Sequence, residues 1–369
     1  MKVLLVVPSL KKTGVTEVVK SLIYENSQRD QKVEYSLISL KNVDDNNKRF
    51  FYNLLGEKLY ELNGERILTL SKIFGFRKIV KNIKPDIIHF HSFEADLYSC
   101  FLSSKVTKIS TAHNNGKEDF QSSYGKLVGS VMAKVQVKIF NRLNTVIAVS
   151  NTVKQHFQKI ISTRIITILN GVNPNIGEKK VIVQRDALQK LVRPVGIYSG
   201  NLNSRKNVDV LFESYKEVNS TKNISSLIVI GDDPQNSHKI IEYKKKYKKY
   251  NIMFLGRVNN VYPYLNIADY WISASKNEGL PMAAIEAMSA NLDLVLSDIP
   301  QHKELKMFQG QTIYFFKNNK KCLMQSVKRY INLWTPKHTS TNNYYYKQFF
   351  SSEIMYKKYV HEYINIVTK

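Results

Sequence analysis

Short apolar runs alternate along most of the chain with longer stretches whose apolar residues recur at helical spacing. That alternation is typical of parallel, doubly wound α/β sheets. The first series of predicted strands comprises Met1–Pro8, Val33–Leu40, Pro85–His91, Lys108–Asn114, Thr145–Ser150 and Ile165–Gly171. The second series comprises Val195–Ser199, Ser226–Gly231, Asn251–Gly256, Trp271–Ile272 and Leu294–Leu296. The pattern predicts an α/β fold with two Rossmann-like, doubly wound domains facing each other across a cleft.

The alternation lapses between the two series, where residues 174–194 are polar and charged and are predicted to be a linker. We therefore expect domains at 1–173 and 195–350, followed by an amphipathic helix within 351–369. Asp44–Phe51 is polar and is predicted to be a loop. The apolar run in Met1–Pro8 is too short for a targeting segment, and none reaches the roughly 18 residues that span a bilayer.

Two lysine-rich helical stretches each allow two interpretations. In Tyr124–Leu143 the apolar residues follow the i, i+3, i+4 pattern of one long amphipathic helix. Its apolar face either packs on the core or contacts a lipid surface. In Ser237–Tyr250, tyrosines are interleaved with lysines. That stretch is either a solvated helix face or a patch for a membrane or a nucleic acid, because aromatic rings can stack on bases.

The charge narrows the choice of partners. The chain has 55 Lys and Arg against 30 Asp and Glu, a formal net charge of +25. Such a charge attracts a nucleic acid, an anionic bilayer or a phosphorylated small molecule, although a genome rich in A and T would also favour lysine codons. The two cysteines, Cys100 and Cys322, form neither a disulfide framework nor a metal-ligand spacing, which indicates a reducing compartment.

The most distinctive stretch is Ser275–Asp298, which places Glu278 and Glu286 eight positions apart. Gly279 and Pro281 follow the first acid, and good helix formers follow Pro281, so Glu278 is predicted in a loop and Glu286 about one turn inside a helix. A helix N-terminus after a parallel strand favours an anion such as phosphate, and carboxylates there favour sugar hydroxyls. The competing interpretation is two ordinarily solvated acids.

A second loop of the same predicted sheet brings cations to this edge. It runs from Gly200 to Asn207 and contains Arg205 and Lys206. Cations, carboxylates and a helix N-terminus together suit a nucleoside diphosphate-sugar, because lysine neutralises a diphosphate. No cluster of His and Cys and no Asp-x-Asp pair occurs, so we expect no metal site. His113, at the end of a predicted strand, is either a site residue or a structural hydrogen-bond partner.

These stretches resemble, in order, the GT-B retaining glycosyltransferases of family 4, which use nucleotide-sugars to build bacterial polysaccharides. The resemblance covers nearly the whole chain. Its pieces are MKVLLVVPSL with Gly14, PDIIHFH, STAHN, VIAVSN, ILNGVN, YSGNLNSRKNVDVL, LGRV, NEGLPMAAIEAMSA and LSDIPQHKE. The block from Glu278 to Glu286 is the most specific of them.

The resemblance implies roles for individual residues. Glu278, His113 and Lys206 would be catalytic: Glu278 would hold the hexose, Lys206 the diphosphate, and His113 would lie near the transferred end of the sugar. Glu286 would hold the ribose. The full set of expected nucleotide-sugar contacts is Gly14, Gly200, Asn201, Arg205, Lys206, Arg257, Glu278, Gly279, Leu280, Pro281 and Glu286. The resemblance also makes 1–173 the acceptor domain, 195–350 the donor domain, and the last helix one that returns to the first domain.

Three departures from the family pattern stand out. Asn201 replaces a usual Arg, so one diphosphate cation is missing unless Arg205 reaches in. Asn291 and Asp293 stand where Gly and Pro are usual, and Gly14 is alone where a pair is common. These departures leave open a weakly active accessory subunit of a glycosyltransferase complex.

The leading hypothesis is transfer of a hexose, with retention, from a nucleotide-sugar, first of all a UDP-sugar, to a lipid-linked or surface polysaccharide precursor. The expected enzyme needs no cofactor and no metal. We expect it to be cytoplasmic, with peripheral contact to an anionic membrane. The less favoured alternative, a basic nucleic-acid-binding protein, has none of the expected motifs, so no nucleic-acid partner is expected.

Overall fold

A computed structural model describes residues 1–29, 33–41, 46–62, 64, 66–174, 176, 190–222, 224–233, 238–336 and 339–368. The chain forms two compact units. The first comprises Met1–Val172 and Phe350–Lys369, and the second comprises Asn173–Phe349. Most of the predicted linker, 174–194, lies outside the described residues.

The first unit is built on a parallel sheet of seven strands with the order β3-β2-β1-β4-β5-β6-β7. The strands are β1 Lys2–Val7, β2 Glu34–Ser39, β3 Leu59–Glu61, β4 Ile87–His91, β5 Lys108–Ala112, β6 Thr145–Ala148 and β7 Ile165–Thr167. The helices between them are α1 Gly14–Ser27, α2 Asn46–Leu55, α3 Leu70–Ile83, α4 Phe93–Asp96, α5 Lys117–Tyr124, α6 Lys126–Phe140 and α7 Asn151–Gln158. Buried aliphatic strands such as β1 are apolar on both faces because helices cover both.

The second unit has a parallel sheet of six strands with the order β10-β9-β8-β11-β12-β13. Its strands are β8 Val195–Ser199, β9 Ser226–Ile230, β10 Ile252–Gly256, β11 Tyr270–Ser273, β12 Asp293–Ser297 and β13 Ile313–Phe316. Its helices are α8 Val208–Val218, α9 Lys239–Tyr247, α10 Tyr262–Leu265, α11 Met282–Ser289, α12 Pro300–Lys303, α13 Lys320–Leu333 and α14 Asn342–Tyr345. Both units are therefore doubly wound and Rossmann-like, as predicted.

The last helix, α15 Ser352–Val367, packs on the first unit. Tyr356 donates from its hydroxyl to Oδ1 of Asn26 on α1 over 2.8 Å. Arg164 forms an ion pair with Glu362. Buried side chains on α15 thus complete the core of a unit whose other elements all come from the start of the chain.

One prediction of local structure is wrong. Asp44–Phe51, predicted as a loop, contains the start of α2, because Phe51 is fully buried and Phe50 packs near Tyr24 and Lys20 on α1. Residues 42–45 lie outside the described part of the chain.

The predicted helix Tyr124–Leu143 is found as α6, Lys126–Phe140, and Gly125 separates it from α5. Gly125 has φ of +81°, a left-handed conformation that glycine adopts without a steric penalty. The early apolar residues of α6, Leu127, Val128 and Val131, are exposed to solvent and do not pack on the core.

The basic stretch around α9 has a solvated face. Its tyrosines Tyr243 and Tyr247 are buried and donate to Asp209 and Glu213 on α8. Those two rings cannot stack on bases, and Tyr250 is half-buried, which weakens the case for a nucleic-acid patch. Among the described residues, no helix combines the length and the apolar composition needed to cross a bilayer.

Candidate active site

The strand order of the second unit reverses between β8 and β11. β8 and β11 are neighbours in the sheet, and the chain leaves them toward opposite sides of the reversal. The loop after β8 carries Gly200, Arg205 and Lys206, and the loop after β11 carries Glu278. Ligands of open α/β sheets bind at such reversals, because diverging loops leave a crevice at the carboxyl edge.

Glu278 is held by two cations from the neighbouring loop. Nζ of Lys206 lies 2.6 Å from Oε1 of Glu278, and Nη1 of Arg205 lies 3.0 Å from Oε2. Arg205 also donates to the carbonyl oxygen of Asn277 over 2.9 Å. The carboxylate is only 6% exposed. The two loops that the sequence singled out separately therefore meet in one cluster.

The charge state of this cluster follows from its partners. Burial opposes ionisation of Glu278, but attraction to Lys206 and then to Arg205 outweighs it and lowers the pKa to about 2. Glu278 is therefore ionised at neutral pH, and the three side chains together carry one net positive charge.

Asparagines that the sequence analysis missed hold the two loops together. Nδ2 of Asn318 donates to the carbonyl oxygens of Ala274 and Ser275, at 3.0 and 2.9 Å, at the root of the Glu278 loop. Oδ1 of Asn318 accepts from Nδ2 of Asn207 over 3.0 Å, and Asn207 ends the turn that presents Lys206. A half-buried amide with partners on two loops fixes their spacing. No local pattern could have revealed this, because Asn318 lies 40 positions after Glu278 in the printed sequence.

A second support comes from the LSDIPQHKE stretch. Nε2 of Gln301 donates to Oδ1 of Asn277 over 2.7 Å, beside the carbonyl group that Arg205 contacts. His302 is fully buried, and burial lowers its pKa to about 4 against the attraction of Glu278. The LSDIPQHKE stretch therefore supports the Glu278 loop on the side away from the Gly200 loop, which carries Arg205 and Lys206.

The Gly200 loop is shaped by close backbone packing. Gly231 has φ of +127°, and a Cβ there would collide with the carbonyl oxygen of Gly200. Asn201 is exposed, and its carbonyl oxygen accepts from the hydroxyl of Tyr198 over 2.8 Å. No guanidinium stands at position 201, but Arg205 reaches Glu278 from the same loop.

Three residues expected to contact the nucleotide-sugar directly follow Glu278. Gly279, Leu280 and Pro281 are buried, and Pro281 occupies the cap position just before α11. Glu286 lies in the second turn of α11 and is half-buried. The predicted strand, loop and helix around Glu278 are thus present with nearly the expected bounds.

Arg257 is not part of the Glu278 cluster. It follows β10, two strands away from β8, and its Nε lies 2.7 Å from Oδ1 of Asp232. Its side chain is 61% exposed. Its expected role in nucleotide binding stays a prediction.

The first unit contains two buried histidines, His89 and His91, in line with the half-buried His113. Nδ1 of His91 lies 3.2 Å from Nε2 of His113. His89 lies behind them, with Nδ1 2.8 Å from the hydroxyl of Tyr363 on α15 and Nε2 2.8 Å from Oγ1 of Thr111. His89 was expected to be buried in its strand, and it is fully buried. Burial lowers the pKa of His113 to about 4 and that of His89 to about 3, so both rings are neutral near pH 7.

His113 faces a cavity of about 510 Å³ that lies wholly within the first unit. Asn114, Asp119 and Gln136 supply polar groups to its wall, and Phe93 and Phe120 are among its apolar members. Val15 lines the cavity, whereas Gly14, expected to approach donor and acceptor, starts α1 beside it. A mixed wall of this kind can hold both the hydroxyl groups and the apolar faces of a sugar.

Within the described ranges, no group of three or more His, Cys, Asp or Glu side chains is placed to hold a metal ion. The expectation of a reaction that needs neither metal nor cofactor stays a prediction.

Two family patterns match successive parts of the chain. One, described as Glycosyltransferase Family 4, matches residues 14–176, and the other, Glycosyl transferases group 1, matches residues 193–332. Together they span most of both units. The chain belongs to the family 4 glycosyltransferases.

Curated relatives carry the same class of name. The capsular polysaccharide biosynthesis glycosyltransferase CapH of Staphylococcus aureus is 25% identical over 286 residues, 75% of this chain and 77% of that protein. The amylovoran biosynthesis glycosyltransferase AmsD of Erwinia amylovora is 22% identical, over 80% of this chain and 81% of that protein. An uncharacterized glycosyltransferase of Methanocaldococcus jannaschii is 27% identical over 62% of this chain, and the match spans 59% of that protein.

Solved structures share the GT-B fold of this glycosyltransferase. Sucrose-phosphate synthase from Thermosynechococcus elongatus aligns with a TM-score of 0.81 at 15% identity, covering 100% of this chain and 99% of that one. Anabaena HepE in complex with UDP-glucose aligns with a TM-score of 0.79 at 16% identity, covering 99% of each chain. At these identities the likeness establishes the architecture.

Proposed function

We propose that this glycosyltransferase transfers a hexose, with retention of anomeric configuration, from a nucleotide-sugar to a polysaccharide precursor, and that the donor is a UDP-sugar. The proposal rests above all on Glu278 held between Lys206 and Arg205 at the strand-order reversal. A carboxylate and two cations are the groups that a sugar with a diphosphate leaving group requires.

The cations give the proposed leaving group its electrostatic support. A diphosphate entering the crevice would compete with Glu278 for Lys206 and Arg205, freeing the carboxylate to accept from hexose hydroxyls. During transfer, the bond from the anomeric carbon to the diphosphate oxygen breaks and the acceptor oxygen bonds that carbon on the same face. The acceptor proton passes to the departing diphosphate. Pre-positioned cations of this kind contribute about 10²–10³-fold to a rate.

The accessory-subunit alternative is weakened by Arg205. Its main argument was the missing cation at Asn201, and Arg205 supplies a second cation to the cluster from the same loop. Two further supports favour an enzyme of polysaccharide synthesis: the names of the relatives CapH and AmsD, and the UDP-glucose held by the structural neighbour HepE.

The acceptor and the location of the enzyme are proposed from the net charge of the chain. We take the acceptor to be a lipid-linked or surface polysaccharide precursor, and the enzyme to work at the cytoplasmic face of an anionic membrane. The net charge of +25 supports attraction to that face.

A donor panel tests the proposal. UDP- and GDP-sugars are scored by thermal shift and by slow hydrolysis without acceptor, using wild type, Glu278→Gln and Glu286→Ala. We expect one UDP-sugar to stabilise wild type and to be hydrolysed, and both variants to lose about 10²-fold or more of the hydrolysis. Glu242→Gln, an exposed acid on α9, is the matched control and should behave as wild type.

Two outcomes would count against the proposal. Indifference of folded wild type to every nucleotide-sugar would favour the accessory role. Inversion at the anomeric carbon of the transferred sugar, read by NMR of the product, would overturn the retaining mechanism alone.

A further inference from the structure

The cavity beside His113 opens between two groups of exposed apolar side chains. Seven large apolar residues here are at least 40% exposed, and we call them the apolar rim. They are Leu68, Leu70 and Phe74 at the start of α3, and Tyr124, Leu127, Val128 and Val131 around the start of α6. Leu127 is the most exposed, at 86%. Leu68 and Tyr124 also line the cavity, so the rim continues the cavity wall on both sides.

Solvent-exposed apolar residues in such a group need a partner. Scattered single residues on a surface are ordinary, but a contiguous group around a cavity marks a binding surface. The described part of the chain has sixteen exposed large apolar residues, and seven of them belong to this rim. The sequence pattern alone left open whether the α6 residues pack on the core. The structure excludes that for Leu127, Val128 and Val131.

Cations stand behind the rim in the same arrangement on both helices. On α3, the exposed residues Leu70 and Phe74 are followed by exposed Arg77, Lys78 and Lys81. On α6, the exposed rim residues are followed by exposed Lys134 and Lys138. Lys134 lies seven positions after Leu127, and Arg77 lies seven after Leu70. At 1.5 Å per residue, Arg77 and Lys134 stand about 10 Å along the helix from the first apolar tip and about 4.5 Å from the last.

Apolar tips with cations one to two helical turns behind them suit the boundary of a bilayer. Amphipathic surface helices bury their apolar side chains about 5–10 Å into the region between head groups and acyl chains, and lysines remain at the head groups. Anionic lipids attract each such lysine by about 1 kcal/mol. Two acids line the cavity and both have partners: Asp119 accepts from Asn114 over 2.8 Å, and Glu94 lies 3.5 Å from Nζ of Lys41. Exposed Glu118 is outnumbered by the five exposed cations of α3 and α6. The charge at the rim is thus complementary to anionic lipid.

We propose that the apolar rim enters an anionic lipid surface and that the cations of α3 and α6 rest on its head groups. The cavity beside His113 then opens at the membrane, where it takes the terminal sugar of an acceptor whose lipid stays in the bilayer. The lipid docking stands on the rim itself. The identity of the cavity's occupant rests on the proposed function.

Vesicle flotation tests the docking. The full chain is mixed with vesicles of phosphatidylcholine alone or with one third phosphatidylglycerol. Wild type should float with the anionic vesicles. Leu127→Ser combined with Val131→Ser, and Leu70→Ser combined with Phe74→Ser, should each weaken partitioning about tenfold or more, because each removes two inserted side chains. Ile241→Ser with Leu333→Ser in the second unit removes equally exposed residues and should float as wild type.

The cation part has its own variant. Lys134→Gln with Lys138→Gln should reduce flotation with anionic vesicles. The fraction that floats with vesicles of phosphatidylcholine alone should not change. All altered positions are exposed, so melting temperatures should stay near that of wild type, and a variant that melts well below it is replaced by the Leu127→Ser single change.

The remaining outcomes separate the competing occupants. Rim variants that float like wild type would overturn the proposal. A concentration-dependent dimer that the rim variants abolish, seen by light scattering, would assign the rim to a second copy of the chain. Hydrolysis of the donor without vesicles should be the same in wild type and rim variants. If wild type binds vesicles but no nucleotide-sugar, the docking stands and the proposed function fails; if it hydrolyses donor but never floats, the reverse holds.

Discussion

Nδ1 of His91 and Nε2 of His113 are 3.2 Å apart, and the second nitrogen of His91, Nε2, is buried with no partner among the described residues. Burial lowers the pKa of both rings, so both are neutral near pH 7 and one nitrogen of the pair must donate. An unpartnered buried acceptor is tolerated better than an unpartnered N–H. His91 therefore carries its proton on Nδ1 and donates to His113, which leaves the proton of His113 on its own Nδ1.

The substitution His91→Ala should leave His113 free to adopt both neutral tautomers. In wild type, nitrogen–proton correlation NMR should find His113 with its proton on Nδ1 alone. In the variant, we expect a mixture of both tautomers and a reduced transfer rate, since His113 would no longer present one fixed nitrogen. A His113 signal that is identical in the two proteins would contradict the assigned direction of the hydrogen bond.

The competition between Glu278 and a diphosphate for the same cations predicts opposite effects of two substitutions. Glu278→Gln removes the anion beside Lys206 and Arg205, so UDP without a sugar should bind about tenfold more tightly. Lys206→Ala should weaken UDP binding and lower the free energy of unfolding by about 3 kcal/mol, because it strips a partner from a buried charge. Calorimetric titration and urea unfolding measure both effects.

Matched changes of exposed residues provide the controls for this pair. Lys276→Ala, in the Glu278 loop, and Glu217→Gln, on α8, change the net charge by the same amounts as Lys206→Ala and Glu278→Gln, but their side chains lie outside the cluster. They should leave UDP affinity within twofold of wild type. Tighter binding in Glu217→Gln as well would mean that overall charge, and not release of the two cations, controls the affinity.

Asn318 should position the Glu278 loop, so its loss should affect donor binding more than the stability of the second unit. Asn318→Ala removes the donors to the carbonyl oxygens of Ala274 and Ser275, at a cost of about 1–3 kcal/mol. We expect the KM for the donor to rise as well. Asn319→Ala removes only the N-cap of α13, a cost of about 1 kcal/mol, and should leave the KM unchanged. Equal KM values in the two variants would show that Asn318 does not position the loop.

Buried histidines should make the first unit less stable in mild acid. His89 and His91 are fully buried, and burial lowers the pKa of His89 to about 3 and that of His91 well below its usual value. Below about pH 6.5 the unfolded chain binds protons that the folded chain does not. The free energy of unfolding should therefore fall between about pH 6.5 and 4, by about 1.4 kcal/mol per pH unit for each histidine.

Asp96 has the opposite effect on the pH dependence of stability, and a variant at this position tests the prediction. Burial raises the pKa of its carboxyl group to about 7, so its contribution to stability is lost as the pH rises from about 4 toward 7. Two histidines outweigh one aspartate, and the net slope keeps its sign. Asp96→Asn removes the opposing contribution, so urea unfolding at stepped pH should give a steeper fall. A flat profile in that variant would show that the histidines take up protons without unfolding.

The sequence predicted the elements whose signals are local. Trp271-Ile272, the Glu278 loop and the helix after Pro281 are found as β11, a loop and α11, because apolar runs, a proline and helix formers lie next to one another in the chain. The doubly wound architecture followed from the same alternation. Motif order also placed Lys206 and Glu278 in neighbouring loops.

Long-range contacts account for what the sequence could not predict. Whether the apolar stripe of Tyr124–Leu143 faces the core depends on a break at Gly125 and on which neighbours cover α6. The support from Asn318 and Gln301 arises only when their loops fold beside Glu278. Phe51 draws a polar stretch into α2 through its burial in the core, which outweighs the weak local preference.

The return of α15 to the first unit has a consequence for the order in which the protein is made. On the ribosome, every residue of the second unit is synthesised before Ser352–Val367, so that unit can finish folding while the first still lacks its last helix. Until then His89 has no Tyr363 and Arg164 has no Glu362. A segment made early is thus stabilised by one made after the whole second unit, and chains truncated before residue 352 should be cut by protease in the first unit and resist it in the second.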